Sequence, residues 1–179
     1  MKKVLFRGKS TTDNRWLYGS LISNYTEKQF FIDEHHQSAP VIPETVNQWI
    51  GIDEISTEET KIFEGDFLIL ERKLIDKNDA FWNSNAGELM DKFNLDEMIL
   101  RIAVSESKEV KYEGYVKRNN QFLTDSEYHG DTTNEYMTPF SFNGEGLLFL
   151  RYILKKGARV MGNIIDNPGL IPELQEINR

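Results

Sequence analysis

Apolar positions in this chain come in short bursts separated by polar or glycine-bearing breaks, and the breaks recur too often for long helices. Val4-Leu5-Phe6 and Trp16-Leu17-Tyr18 flank a polar stretch, Gly8 to Arg15, with Asp13-Asn14 inside it, which predicts a hairpin with a long loop. Leu21-Ile22 and Phe30-Phe31-Ile32 enclose Asn24 to Lys28 and predict a second hairpin. Residues 33 to 37 are acidic and carry histidines, and are expected to leave the sheet. Pro40 and Pro43 keep the next segment extended, because each confines the residue before it to β or polyproline geometry. Thr45 to Ile50, closed by Gly51, is predicted as a strand and residues 53 to 61 as an exposed acidic loop. Ile62-Phe63 and the apolar run Phe67 to Leu70 are predicted strands joined by the turn Glu64-Gly65-Asp66.

After residue 76 the period changes. Ser84 or Asn85 is suited to cap a helix, and Leu89, Met90 and Phe93 recur near helical spacing, which predicts a short amphipathic helix over 86 to 93. Ile99 to Val104, Val110 to Val116 and Gln121 to Leu123 return to strand composition, with Asn119-Asn120 suited to a turn at positive φ. Residues 125 to 137 are polar and predict a long loop. Leu147 to Leu154 fits either a buried strand or a short helix, Arg159 to Ile165 a last strand stopped by Asn167-Pro168, and Pro172 to Asn178 a short helix or tail. The expected fold is mainly β (α+β). Its core is a small bent sheet or barrel, formed by N-terminal strands in residues 1–75 plus a returning C-terminal strand in 158–179. Residues 76–157 form a mixed insertion with a short helix, within one compact unit. Phe6, Trp16, Tyr18, Val46, Ile62, Phe63, Leu68 and Ile164 are the expected shared core.

Composition narrows the chemistry. With 179 residues the chain can bury one real core, and its net charge of -8 disfavours a nonspecific grip on nucleic acid, which needs clustered Lys and Arg. The basic groups are Lys2, Lys3, Arg7, Lys9 and Arg15 at the amino end and Lys155, Lys156 and Arg159 near the other. No cysteine is present, which removes disulfides, thiolate metal sites, Fe–S clusters and cysteine nucleophiles together. Polar residues follow Val4-Leu5-Phe6 at once and no apolar run is long enough to span a bilayer, so the expectation is a cytoplasmic protein with no membrane contact.

Candidate chemistry is sparse. Asp33-Glu34-His35-His36 has metal-binding side chains, with His129 a conceivable third imidazole, but neighbours on a strand point to opposite faces and a solvated loop explains them better. Glu64 and Asp66, with Glu44 as a third carboxylate, have the residue types for acid–base work, yet a tight Glu-Gly-Asp turn accounts for them without it. Neither a phosphate loop, a dinucleotide fingerprint nor a nucleophile elbow occurs. No catalytic, cofactor or metal residue is therefore assigned. Arg7, Lys9, Trp16, Tyr18 and Trp49 join cations to aromatics and form the candidate interaction surface.

The ordered patches Phe6-Arg7-Gly8-Lys9, Trp16 with Tyr18-Gly19, Pro43-Glu44-Thr45-Val46 with Gln48 and Gly51, Phe63-Glu64-Gly65-Asp66, and Gly162-Asn163-Ile164 with Asn167-Pro168 resemble the YopX family of phage and prophage proteins. The resemblance covers residues 2 to about 70 and 158 to 171. Asn47 stands where the family pattern has a glycine, Trp49 replaces a tyrosine, the loop 53–61 replaces a short Asp-Lys-Asn-Gly turn, and Gly169 replaces an acidic residue. These departures bear on surface recognition more than on the fold. The resemblance implies a mainly β, self-associating protein of mobile elements with no established activity and no recognised catalytic residue. The leading functional expectation is a non-enzymatic protein-interaction module with protein partners and self-association. A nucleic-acid-binding module is the disfavoured alternative, and a metal-dependent hydrolase on His35 and His36 the second.

Overall fold

The computed structural model describes residues 4–24, 26–53, 61–75, 85–105, 109–124 and 141–171. Of the expected acidic loop 53–61, residues 54–60 lie outside the described residues, as do the polar segment containing His129, Lys2, Lys3 and the residues after 171, whereas Asp53 and Lys61 are paired strand residues. The fold is mainly β, with two antiparallel sheets and two helices among the described residues.

The first sheet holds β1 (Phe6–Lys9), β2 (Trp16–Asn24), β3 (Gln29–Glu34), β4 (Gln37–Val41), β5 (Asn47–Asp53) and β6 (Lys61–Phe63), in the order β4-β3-β2-β1-β5-β6. Both predicted hairpins form, with Lys9 opposite Trp16 and Asn24 opposite Gln29. Residues 33 to 37 do not leave the sheet. His35 and His36 take φ of 53° and 66°, the left-handed backbone that a two-residue hairpin turn requires, and β4 folds back along β3 with Glu34 opposite Gln37. The sheet bends until β4 meets β1 again: Ser10 bridges Val41, Thr11 N–H donates to the Pro40 carbonyl, and Ile42 N–H donates to that of Lys9. No closed barrel is found among the described residues, because β5 pairs with Phe6 and Arg7 and takes the part of the β1 edge that closure needs. Leu17, Ile32 and Val41 fill the bend, with Phe6, Leu21, Phe30, Ala39 and Val46 around them.

The bend sets Gly19. A Cβ there would overlap the backbone carbonyl of Asp33, which has no flexible end to yield. Gly19→Ala is expected to destabilise by about 3 kcal/mol, read as a lower urea midpoint at unchanged m value; an unmoved midpoint would refute the close approach.

The second sheet holds β7 (Asp66–Glu71), β8 (Glu97–Val104), β9 (Val110–Arg118), β10 (Gln121–Phe122) and β12 (Arg159–Asn163), in the order β10-β9-β8-β7-β12. A further strand, β11 (Ser141–Glu145), pairs with the other part of β9. The returning strand is therefore β12, but it pairs with β7 and not with β1 to β6. Residues from 76–157 share this sheet with β7 and β12, which come from the flanking segments. Its faces are both buried, which explains the unbroken apolar run of β7. Leu68 and Leu70 join Met98, Leu100, Ile102 and Val116 under the helices, while Phe67 and Ile69 join Ile99, Tyr115 and Ile171 on the other face.

Helix α1 (Asn85–Lys92) lies where the sequence predicts it, burying Leu89 and Met90. The ambiguous run is a helix, α2 (Leu147–Lys155): Leu150, Ile153 and Leu154 are buried at i, i+3 and i+4, while Leu148, Arg151 and Lys155 are exposed. Asn119 and Asn120, at φ of 51° and 63°, make the predicted tight turn. Of the expected core, Ile62, Phe63 and Leu68 are buried and Phe6, Trp16, Val46 and Ile164 half-buried. Tyr18 is a correction: at 43% exposure it sits on the surface, because its position on β2 faces away from the bend.

Candidate functional site

Strand alternation puts Arg7 and Lys9 on one face of β1, and the antiparallel register sets Tyr18 and Trp16 beside them. The Glu64-Gly65 turn, with Gly65 at φ 79°, reverses the chain between β6 and β7 and carries it from one sheet to the other. It brings Phe63 and Asp66 to the same place. The Arg7 guanidinium carbon lies 4.8 Å from the Trp16 ring centre and 4.7 Å from that of Phe63. Its Nη2 donates to Asp66 Oδ1 at 2.6 Å and, more weakly, to the Glu64 carbonyl at 3.3 Å. Asp66 Oδ2 accepts the Phe63 backbone N–H at 2.8 Å. Tyr18 packs against Phe63, ring centres 5.7 Å apart. Arg7 and Asp66 are both buried, so the pair is worth most as a geometric fixture; desolvation offsets much of its attraction. Burial pushes the Asp66 carboxyl above its usual range, against the pull of Arg7 and of the Phe63 N–H.

A second carboxylate closes the arrangement from the far end of the chain. The Gly65 carbonyl accepts the Ile164 N–H at 2.8 Å, which sets the turn after β12 against β1 and β2. There Asp166 Oδ1 meets Lys9 Nζ at 2.5 Å, and its Oδ2 accepts from Trp16 Nε1 at 2.8 Å and Asn163 Nδ2 at 3.0 Å. Burial acts to raise the Asp166 pKa, but the hydrogen bonds from Lys9, Asn163 and Trp16 outweigh it and lower the pKa to about 2. The carboxylate is thus favoured folded over unfolded. Its stabilisation is complete above about pH 4 and is lost as pH falls towards 2. With 35% of the side chain in solvent, screening limits this to about 1 kcal/mol. Asp66, shifted the other way, adds nothing to that acid loss. Asp166→Asn is expected to flatten the fall of thermal midpoint between pH 4 and 2; a wild-type slope in the variant would refute the assignment.

The candidate surface is therefore regrouped. Arg7 is not on it: the strand places it between two rings with a buried counterion. Lys9 is mostly covered and tied to Asp166, Trp16 is half-buried between the two cations, and Tyr18 is exposed. Trp49, half-buried on β5, pairs opposite Phe63. Asn47, read from sequence as a matter of surface recognition, is buried opposite Arg7. The buried Thr45 accepts the Lys9 backbone N–H at 2.8 Å and donates to the Ile42 carbonyl, which gives Pro-Glu-Thr-Val a structural task. Glu44 is exposed on the Pro43–Thr45 turn, and Glu64 offers its backbone carbonyl to Arg7. His35 and His36 are exposed on their turn, and no group of three or more His, Asp or Glu able to hold a metal occurs among the described residues. His129 lies outside them.

Sequence reading missed Asp166. It lies between the two patches Gly162-Asn163-Ile164 and Asn167-Pro168, and the signal available was Asn163, whose Oδ1 accepts the Ile165 and Asp166 N–H groups at 2.9 Å each and so shapes the turn that presents it. Among known protein families, curated proteins and solved structures, none matches this chain. The family resemblance rests on the residues quoted above.

Proposed function

We propose that this chain is a YopX-like accessory protein of phage or prophage origin that works in the cytoplasm as a non-enzymatic protein-interaction module, binding partner proteins and further copies of itself. The observation that carries this reading is how the motif residues are used. Arg7, Trp16, Phe63 and Asp66 are occupied with one another, Lys9 with Asp166, Gly19 with a close backbone approach and Gly65 with a left-handed turn. A motif whose charged groups are paired with one another, Arg7 with Asp66 and Lys9 with Asp166, serves to fix a shape. What faces outward near it is contact surface, Tyr18 and Ile22 on β2. No helix among the described residues is long and apolar enough to cross a membrane.

The nucleic-acid alternative loses support from the same pairs, since Arg7 and Lys9 spend their charge on Asp66 and Asp166 instead of phosphate. Light scattering across a concentration series is expected to give a defined oligomer, with no salt-dependent binding of a labelled oligonucleotide. A monomer at all concentrations would remove the self-association, and oligonucleotide binding that weakens steeply with salt would replace this reading by the alternative.

A further inference from the structure

Three donors from three parts of the chain meet on the carboxylate of Asp166: the Lys9 ammonium, the Trp16 indole N–H and the Asn163 carboxamide. An isolated surface ion pair means little. An ammonium, an indole and an amide converging on both oxygens of one planar group is the donor set of a carboxylate receptor.

The turn that offers the carboxylate does not depend on it. Asn163 Oδ1 holds the N–H groups of Ile165 and Asp166, Asn167 N–H donates to the Asn163 carbonyl at 2.9 Å, Ile164 N–H reaches Gly65, and Ile171 is buried just beyond. The Asp166 side chain can therefore rotate out while the backbone keeps its path and the three donors stay in place. Its partial exposure leaves an open way to solvent, and Tyr18, two residues from Trp16 on the same face of β2, offers an exposed ring beside the opening.

We propose that Lys9, Trp16 and Asn163 form a carboxylate-binding site that Asp166 fills in the resting chain, and that an aspartate or glutamate of a partner protein displaces it. This rests on the protein-interaction reading and names the partner's chemistry. A carboxylate tethered on the same chain competes at an effective concentration of about millimolar or more. Dilute free acids are therefore kept out, whereas an acidic residue on a protein that also packs on Tyr18 has the extra contact needed to displace Asp166.

Asp166→Gly vacates the site and supplies the test, with the Trp16 indole N–H resonance, assigned by its loss in Trp16→Phe, as the reporter. In this variant, acetate at constant ionic strength is expected to shift that resonance saturably and to raise the thermal midpoint where chloride does not. Wild type is expected to show neither at the same concentrations. A capped Asp-Asn-Pro peptide is expected to bind the variant about tenfold more tightly than acetate, and Lys9→Met in the same background to weaken both by about tenfold. Should Asp166→Gly not fold, Asp166→Ser carries the same titrations.

An indole resonance that neither ligand moves in a folded variant overturns the site. Peptide binding no tighter than acetate overturns the assignment to a protein partner and leaves a receptor for small acids. Neither result alters the light-scattering measurement, so failure of the site and failure of the interaction reading are separately visible.

Discussion

Arg7→Met is expected to destabilise the protein by about 3–5 kcal/mol, because it strands the buried Asp66 carboxylate. Met fills much of the volume between Trp16 and Phe63, so the loss reports charge and hydrogen bonding more than a cavity. The double variant Arg7→Met with Asp66→Asn is expected to recover most of it, since the amide oxygen still accepts the Phe63 N–H while the stranded charge is gone. Acid gives a second check. Without Arg7 the folded-state pKa of Asp66, already raised by burial, rises further, so the deficit of the single variant should shrink as pH falls through that value towards 4. Urea unfolding of the two variants at pH 7 and pH 4.5 measures all of this. A single-variant cost below about 1 kcal/mol with no recovery in the double would mean that the pair does not organise the junction.

Phe63→Ala is expected to cost about 3–5 kcal/mol as well, for a different reason. The ring is 1% exposed and serves two neighbours at once, as one face of the Arg7 sandwich and as the support for Tyr18. Its removal opens a void at the point where the chain passes between sheets, bounded by strand backbone that cannot easily collapse into it. Because Arg7 and Phe63 touch, their losses should not add: a variant carrying both changes should fall short of the sum by about 1 kcal/mol or more. Strict additivity in that cycle would show that the stacking contributes nothing of its own.

The parts of this fold that sequence could foretell are those set by neighbours along the chain. The β1–β2 and β2–β3 hairpins, the Glu64-Gly65 turn, the Asn119-Asn120 turn and helix α1 each carry their cause within a few residues. Leu147 to Leu154 did not settle itself, since a run apolar at nearly every position has no period to read; the sheet that covers Leu150, Ile153 and Leu154 decides it. Sequence alone puts Arg7 on the surface because cations usually lie there, and nothing local announces a counterion 59 positions away. The same holds for the junction as a whole. Three of its patches were visible as motifs, but which side chains would be joined depended on β12 returning to β7, a pairing with no local signature. Residues 33 to 37 mislead, since His35 and His36 take left-handed turn geometry and keep the chain in the sheet, whereas Pro40 and Pro43 correctly signal an extended path through β4 to Ile42.

Trp16 and Asp166 are separated by 150 positions in the sequence. On a ribosome adding about 5–20 residues per second, roughly 8–30 s pass between the emergence of the indole and that of its acceptor, long after the first hairpins can form. Throughout that interval Lys9 and Trp16 lack the carboxylate that holds them in the folded chain. That bond is thus unavailable until residue 166 has been made, and a chaperone or an early binding partner has its best opportunity before translation reaches that codon.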